Sequence, residues 1–111
     1  MVNCPIPGHG ESVYHLYVIR VEDRDRLRPY LQDKGITTGI HYPIPIHLQP
    51  AYRDLGYKKG SCPVTEEYAR QVLSLPMYAE LTPASIEYVA GAIRGFVSAY
   101  GVKPLVSERV G

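Results

Sequence analysis

The spacing of apolar residues divides the chain into short strands and amphipathic helices. Residues 13–21, "VYHLYVIRV", are largely apolar on both alternating faces and rich in β-branched and aromatic types, which is typical of a buried strand. Residues 36–42, "ITTGIHY", alternate and predict a second strand, with His41 on the face opposite the aliphatic side chains. The segment "VLSLPM", residues 72–77, can form a third strand.

Three segments have the period of a helix: residues 24–34, 63–73 and 83–99. Asp23 is a candidate N-cap for the first, although Pro29 costs a backbone hydrogen bond unless it lies in the first turn. The predicted apolar stripes consist of Leu27, Tyr30 and Leu31 in the first helix, Val64, Tyr68 and Val72 in the second, and Ile86, Val89, Ala90, Ile93 and Val97 in the third.

This order of elements predicts an α+β fold, with a small sheet of two or three strands and helices packed on one face. We expect a flexible lead-in at residues 1–12, one domain at 13–100 and a tail at 101–111. A chain of 111 residues that is 45% hydrophobic is long enough for a single modest core.

Composition narrows the classes of partner. The net charge of +1, with acids and bases interspersed, lacks the basic footprint of a protein that binds nucleic acid or an anionic membrane. No apolar run approaches the roughly 18 residues of a membrane span, so we expect a cytoplasmic protein. Cys4 and Cys62, far apart in sequence, are expected to be reduced thiols.

The most unusual stretch is "GIHYPIPIHLQPAY", residues 39–52, which holds three prolines and two of the four histidines of the chain. His41 and His47 could share a metal ion, but the usual third and fourth ligands are missing from the pattern, so we expect no metal site. Both rings could instead be hydrogen-bonded loop residues. We favour a third interpretation, in which the stiff loop holds His41, Tyr42 and His47 on a ligand-binding surface.

Other polar residues give weaker signals. Glu66 and Glu67 begin a predicted helix, where we expect them to be solvated. Arg20, at the end of a buried strand, either extends to solvent or pairs with an anion, and we favour the first. Ser74, Ser98 and Cys62 have no base at motif spacing, so the sequence does not indicate nucleophilic catalysis. We expect no catalytic residue in this chain.

Two motifs, "GIHYPIPIHLQPAY" and "LSLPMY", together with the segment from about His15 to about Phe96, closely resemble the C-terminal small domain of the DegT/StrS sugar-nucleotide aminotransferases. These are pyridoxal-phosphate enzymes with an aspartate-aminotransferase-like fold. The resemblance implies substrate contact by His41, Tyr42 and His47, which match the motif that faces the active site.

The resemblance also implies what this chain lacks. Lysines 34, 58, 59 and 103 do not match the motif of the lysine that binds the cofactor, so we expect a fragment that binds no pyridoxal phosphate and is inactive alone. Its implied partners are a large cofactor-binding domain, a sugar nucleotide and, as a homo-oligomer, further copies of the enzyme. Two other functions remain open: a stand-alone interaction or regulatory module of the same fold, and a histidine-based binder of a metal or small ligand.

Overall fold

The computed structural model describes residues 2–101, and its centre is a three-stranded antiparallel sheet. Strands β1 (Val2–Asn3), β2 (Tyr17–Val21) and β3 (Val72–Leu75) lie in that spatial order. In the register of β2 with β3, Ile19 lies opposite Leu73. The α+β prediction is confirmed, including a third strand in "VLSLPM".

The three predicted helices are α1 (Arg24–Asp33), α2 (Pro63–Gln71) and α3 (Pro83–Tyr100). Two short 3₁₀ helices, Ile46–Leu48 and Pro50–Leu55, lie between α1 and α2. Within residues 2–101, no helix combines the length and the apolar character that crossing a bilayer requires.

The helix N-termini differ from one another. Thr82 caps α3, because its hydroxyl oxygen accepts a hydrogen bond from the backbone N–H of Ser85 at 3.2 Å. Asp23 is at the N-cap position of α1, but its side chain makes no capping bond, so that prediction was right in position and wrong in mechanism. Pro29 lies inside α1, beyond the first turn.

The core lies between the sheet and helices α1 and α3. Its buried members are Ile19, Val21, Leu27, Leu31, Ile36, Leu73, Ala92 and Phe96. Phe96, the only phenylalanine of the chain, packs edge to face against Tyr30 with ring centroids 5.3 Å apart. The predicted stripe of α3 is confirmed in part, since Val89 and Ile93 pack against the core beside the buried Ala92 and Phe96, whereas Ile86 is 51% exposed.

Helix α2 buries a different face from the predicted one. Val64 and Tyr68 of the predicted stripe are 64% and 41% exposed, while Glu66 and Ala69 are buried. Arg24, at the start of α1, donates to the carbonyl of Ala69 at 2.7 Å and is itself only 7% exposed. The buried side of α2 is therefore chosen by polar contacts that hydrophobic spacing does not register.

The predicted strand at residues 36–42 does not form. Gly35, at φ 76°, ends α1, and the N–H of Ile36 donates back to the carbonyl of Leu31 at 2.9 Å, as in a Schellman motif. Ile36 is therefore placed in the core by the C-terminal turn of α1 and not by a strand. Pairing with the sheet is reduced to one bridge, between Gly39 and Ser74.

The predicted strand at residues 13–21 is shortened to Tyr17–Val21. Its partner β3 ends at Leu75, and the next residue is Pro76, which has no N–H for the ladder. An edge strand that the sequence pattern did not predict forms inside the expected lead-in, where Val2 pairs with Val21. Of the expected tail, all but Gly101 lies outside the described residues.

The burial of Leu27 generates a stability prediction. Leu27→Ala should lower the free energy of unfolding by about 2 to 5 kcal/mol, because the fully buried side chain leaves a cavity when it is removed. Leu55→Ala, the same deletion at a side chain that is 65% exposed, should stay within about 0.5 kcal/mol. Urea unfolding followed by circular dichroism measures both, and equal losses would contradict this assignment of the core.

Candidate functional site

The candidate site is the loop of residues 39–47, which starts at the edge of β3 that faces away from β2. The N–H of Gly39 donates to the carbonyl of Ser74 at 3.0 Å, and the N–H of Ser74 donates to the carbonyl of Gly39 at 2.7 Å. This reciprocal pair fixes the start of the loop to the sheet. The chain then turns away from the sheet edge, since Pro43 and Pro45 cannot extend a ladder.

The ring of His41 lies against this attachment. Its Nδ1 is 2.8 Å from the Oγ of Ser74, which is only 4% exposed. The ring also lies close to Gly39, where an added Cβ would be 2.8 Å from Cε1 of His41. His41 and Tyr42 are joined by a cis peptide bond, and their rings meet edge to face at 5.4 Å.

The far end of the loop is fastened to α2 through His47. Its Nε2 is 2.8 Å from Oε1 of Glu66, and the two side chains are 9% and 8% exposed. The Glu66 carboxylate also accepts from the N–H of Gly60 at 2.8 and 2.9 Å and from the N–H of Cys62 at 3.4 Å. Glu66 thus joins the loop to the turn before α2, and the expectation that it is solvated was wrong.

These contacts lower the pKa of Glu66 below its ordinary value of 4.5. The hydrogen bond from His47 makes the largest contribution to the lower pKa. Desolvation opposes it, and the backbone N–H groups of Gly60 and Cys62 support it. The carboxylate is therefore held in its ionised form at neutral pH.

Between the two attachments the loop presents its side chains outward. Tyr42, Ile44 and Ile46 are 71%, 50% and 66% exposed, and we call these three residues the outer loop surface. Prolines at 43 and 45 alternate with them and restrict the backbone. A surface of this kind loses little conformational entropy when a ligand or partner binds.

The three residues predicted to contact a ligand occupy different environments. His41 and Tyr42 are adjacent and exposed, whereas the His47 side chain is enclosed with Glu66. The two histidines bond to separate elements, β3 and α2. Among residues 2–101, no group of three or more histidine, cysteine or acidic side chains is arranged to hold a metal ion.

Arg20 pairs with polar groups, contrary to the expectation that it extends to solvent. It donates to Oε1 of Gln71 from Nε at 3.1 Å and from Nη2 at 2.6 Å, and Nη2 lies 3.5 Å from Glu67. Its guanidinium also stacks 3.9 Å above the ring of Tyr68. These contacts hold the end of α2 against β2.

Sequence reasoning missed the supporting roles of Ser74, Gly39 and Glu66. A signal for Glu66 existed, because an acidic residue one turn into a helix can reach back to free N–H groups before it. For Ser74 no local signal exists, since its partner His41 is 33 positions away.

The family model of the DegT/DnrJ/EryC1/StrS aminotransferases matches residues 2–94. The chain belongs to this family. It is 46% identical over 85 residues to the erythromycin biosynthesis sensory transduction protein EryC1 of Saccharopolyspora erythraea, covering 77% of this chain and 23% of that protein. It is 45% identical over 97 residues to the dTDP-3-amino-3,4,6-trideoxy-alpha-D-glucose transaminase of Streptomyces venezuelae, covering 80% of this chain and 26% of that protein.

Solved structures agree with the family assignment. The crystal structure of S. venezuelae DesV in complex with a ketimine intermediate superposes with a TM-score of 0.80 at 41% identity. The superposition covers 86% of this chain and 26% of DesV. The chain therefore spans about a quarter of the length of the relatives that it matches.

Members of this family use pyridoxal phosphate, which forms a Schiff base with a lysine of the enzyme. A lysine that forms a Schiff base is activated by desolvation or by a neighbouring cation. Lys34, Lys58 and Lys59 are exposed, and Lys103 lies outside the described residues. Within residues 2–101, the lysines do not fit the role of the cofactor lysine.

The lowered pKa of Glu66 predicts a pH dependence of stability. Because the folded pKa lies below 4.5, the stabilisation is fully present above about pH 4.5 and is lost as the pH falls through the folded pKa. Glu66→Gln, which cannot ionise, should be less stable than the unsubstituted chain at neutral pH, and the difference should shrink in acid. Urea unfolding at pH values between about 7 and 3 measures this difference.

The matched control is Glu67→Gln, the neighbouring carboxylate, whose side chain is 49% exposed. Its effect on stability should be small at every pH, since an exposed ion pair contributes little. A destabilisation by Glu66→Gln that stays constant down to the lowest pH would contradict the lowered pKa.

Proposed function

We propose that this chain is the small-domain part of a transaminase that moves an amino group onto a keto-sugar nucleotide. Its own contribution is to bind and orient the sugar substrate through the loop of residues 39–47. Support comes from the family match over residues 2–94 and from the relative named as a dTDP-sugar transaminase. The observation that carries the proposal is a proline-stiffened loop, fastened at both ends, whose histidine and tyrosine face outward.

Within this proposal the three loop residues have different roles. His41 and Tyr42 are exposed and offer an imidazole and a phenol, both of which can hydrogen-bond to hydroxyl or phosphate oxygens. The Nε2 of His47 is occupied by Glu66, so His47 acts chiefly by holding the loop in place. Substrate contact through all three residues stays a prediction.

The rest of the enzyme supplies the cofactor site. Pyridoxal phosphate provides the electron sink on which transamination depends. In this proposal its lysine belongs to a large domain outside this chain, and the chain acts together with that domain in a homo-oligomer. The outer loop surface is apolar apart from one phenol, which suits contact with a ligand or with another part of the enzyme.

A regulatory module of the same fold is the less favoured alternative. Two relatives have regulatory names, the pleiotropic regulatory protein of Geobacillus stearothermophilus and EryC1. The family model, however, describes aminotransferases, and DesV was solved with a reaction intermediate.

The proposal is tested in a chimaera, with residues 2–94 of this chain in place of the matching quarter of the S. venezuelae transaminase. His41→Ala should lower kcat/KM for the sugar substrate from several-fold to about a hundredfold, the effect of losing one neutral or charged hydrogen bond. Its cofactor content should stay unchanged, and its Tm should fall slightly, because the buried Ser74 hydroxyl loses its His41 partner. His47→Ala should lower both Tm and kcat/KM, because it frees the loop and leaves Glu66 buried without this partner.

The control is His9→Ala, which removes a histidine from an exposed position outside the loop. It should change neither kinetics nor Tm. If His41→Ala lowers Tm and leaves kcat/KM unchanged, the loop has only a structural role and the substrate role is wrong.

Cofactor binding by the isolated chain is the second test. Mixed with pyridoxal phosphate, the 111-residue chain should show no saturable change in cofactor absorbance attributable to one lysine, since the described lysines are exposed. Absorbance titration followed by borohydride reduction and peptide mapping makes the measurement. Stoichiometric labelling of a single lysine would contradict the expected division of roles between this chain and a large domain.

A further inference from the structure

We infer that Ser74 and Gly39 are positioning residues for His41, and that they hold its neutral ring with the proton on Nε2, directed away from the sheet. The inference deepens the proposed function and rests on it for its consequence in the enzyme. Neither residue faces the ligand in this arrangement; both act through His41.

Ser74 is a rigid support for the ring. It pairs with Val18 of β2 on one side and with Gly39 on the other, so its backbone is held from both edges of β3. Its hydroxyl lies 2.8 Å from Nδ1 of His41, and the residue is 4% exposed. A buried side chain on a strand that is paired on both edges has little freedom to follow a moving ring.

The hydrogen-bond inventory sets the direction of this bond. A serine hydroxyl carries one donor proton, and a buried donor without an acceptor is costly. Among residues 2–101, Nδ1 of His41 is the hydrogen-bond partner found for the Ser74 hydroxyl. The hydroxyl therefore donates to Nδ1, and a neutral imidazole whose Nδ1 accepts carries its proton on Nε2.

Gly39 sets the position of the ring. A Cβ at this residue would be 2.8 Å from Cε1 of His41, which is closer than packed carbon atoms approach, and 3.4 Å from Nδ1. The ring thus occupies space that is open only because residue 39 is glycine. Ser74 fixes the tautomer, and Gly39 permits the placement.

The consequence is a ligand preference. With Nδ1 occupied, His41 offers an outward N–H donor at Nε2, next to the exposed phenol of Tyr42. A donor of this kind selects an oxygen acceptor, such as a hydroxyl, keto or phosphate oxygen of a sugar nucleotide. It does not select a ligand that presents only N–H groups.

The first test uses the ¹⁵N-labelled 111-residue chain at about pH 8, where an ordinary imidazole is neutral. Long-range ¹H–¹⁵N correlation spectra should show the His41 proton on Nε2 and an Nδ1 signal that shifts in Ser74→Ala. Ser74→Thr, which keeps a hydroxyl, should restore the signal. Gly39→Ala should displace it as well, because the added methyl group moves the ring away from Ser74.

Ser85→Ala is the matched control, since it also removes one serine hydroxyl bond, of 2.9 Å to Thr82, at the start of α3. It should leave the His41 signals unchanged. A proton on Nδ1 in the unsubstituted chain, or identical His41 nitrogen signals with and without the Ser74 hydroxyl, would overturn the inference.

The second test uses the chimaeric enzyme. Ser74→Ala should lower kcat/KM for the sugar substrate several-fold with His41 present and should have no further effect in a His41→Ala background. Additive losses would mean that Ser74 acts independently of His41 and would overturn the inference. If the spectra behave as expected but His41→Ala leaves kcat/KM unchanged, the positioning of His41 stands and its proposed substrate role fails.

Discussion

The arrangement of the site depends on the alternation of side chains along the four residues of β3. Leu73 points into the core and is fully buried, and the next residue, Ser74, points to the opposite face and meets His41. Leu73 lies opposite Ile19 in β2. The register that builds the core therefore also fixes the position of the Ser74 hydroxyl along the sheet. A slip by one residue would exchange the two faces and lose both the core contact and the support for the histidine.

The same strand makes a proline-rich loop outside the sheet compatible with a small domain. Between Gly39 and His47 the backbone leaves the sheet, and prolines remove two of its N–H donors. The loop is instead held by side chains, at His41 from β3 and at His47 from α2. Fixing both ends restricts the residues between them, so the exposed Tyr42 is displayed on a constrained backbone.

The helical part of the fold was predictable because its signals are local. Thr82 followed by proline marks the start of α3, and Gly35 marks the end of α1, in each case through backbone groups a few residues away. The strands were less predictable, since their lengths depend on partners. Tyr17 begins β2 because Pro76 follows the end of β3, nearly sixty positions along the chain.

The candidate site shows the same division between local and distant information. Residue types and prolines were enough to single out His41, Tyr42 and His47, because an unusual composition is visible wherever its partners lie. The contacts that give these residues different environments are long-range. Ser74 and His41 are 33 positions apart, and Glu66 and His47 are 19 positions apart. Helical periodicity predicted burial of Val64, but the hydrogen bonds of Glu66 orient α2 and leave Val64 at the surface. Hydrophobic spacing records which face is apolar, whereas a buried carboxylate with three different donors is held by geometry that appears only once the chain has folded.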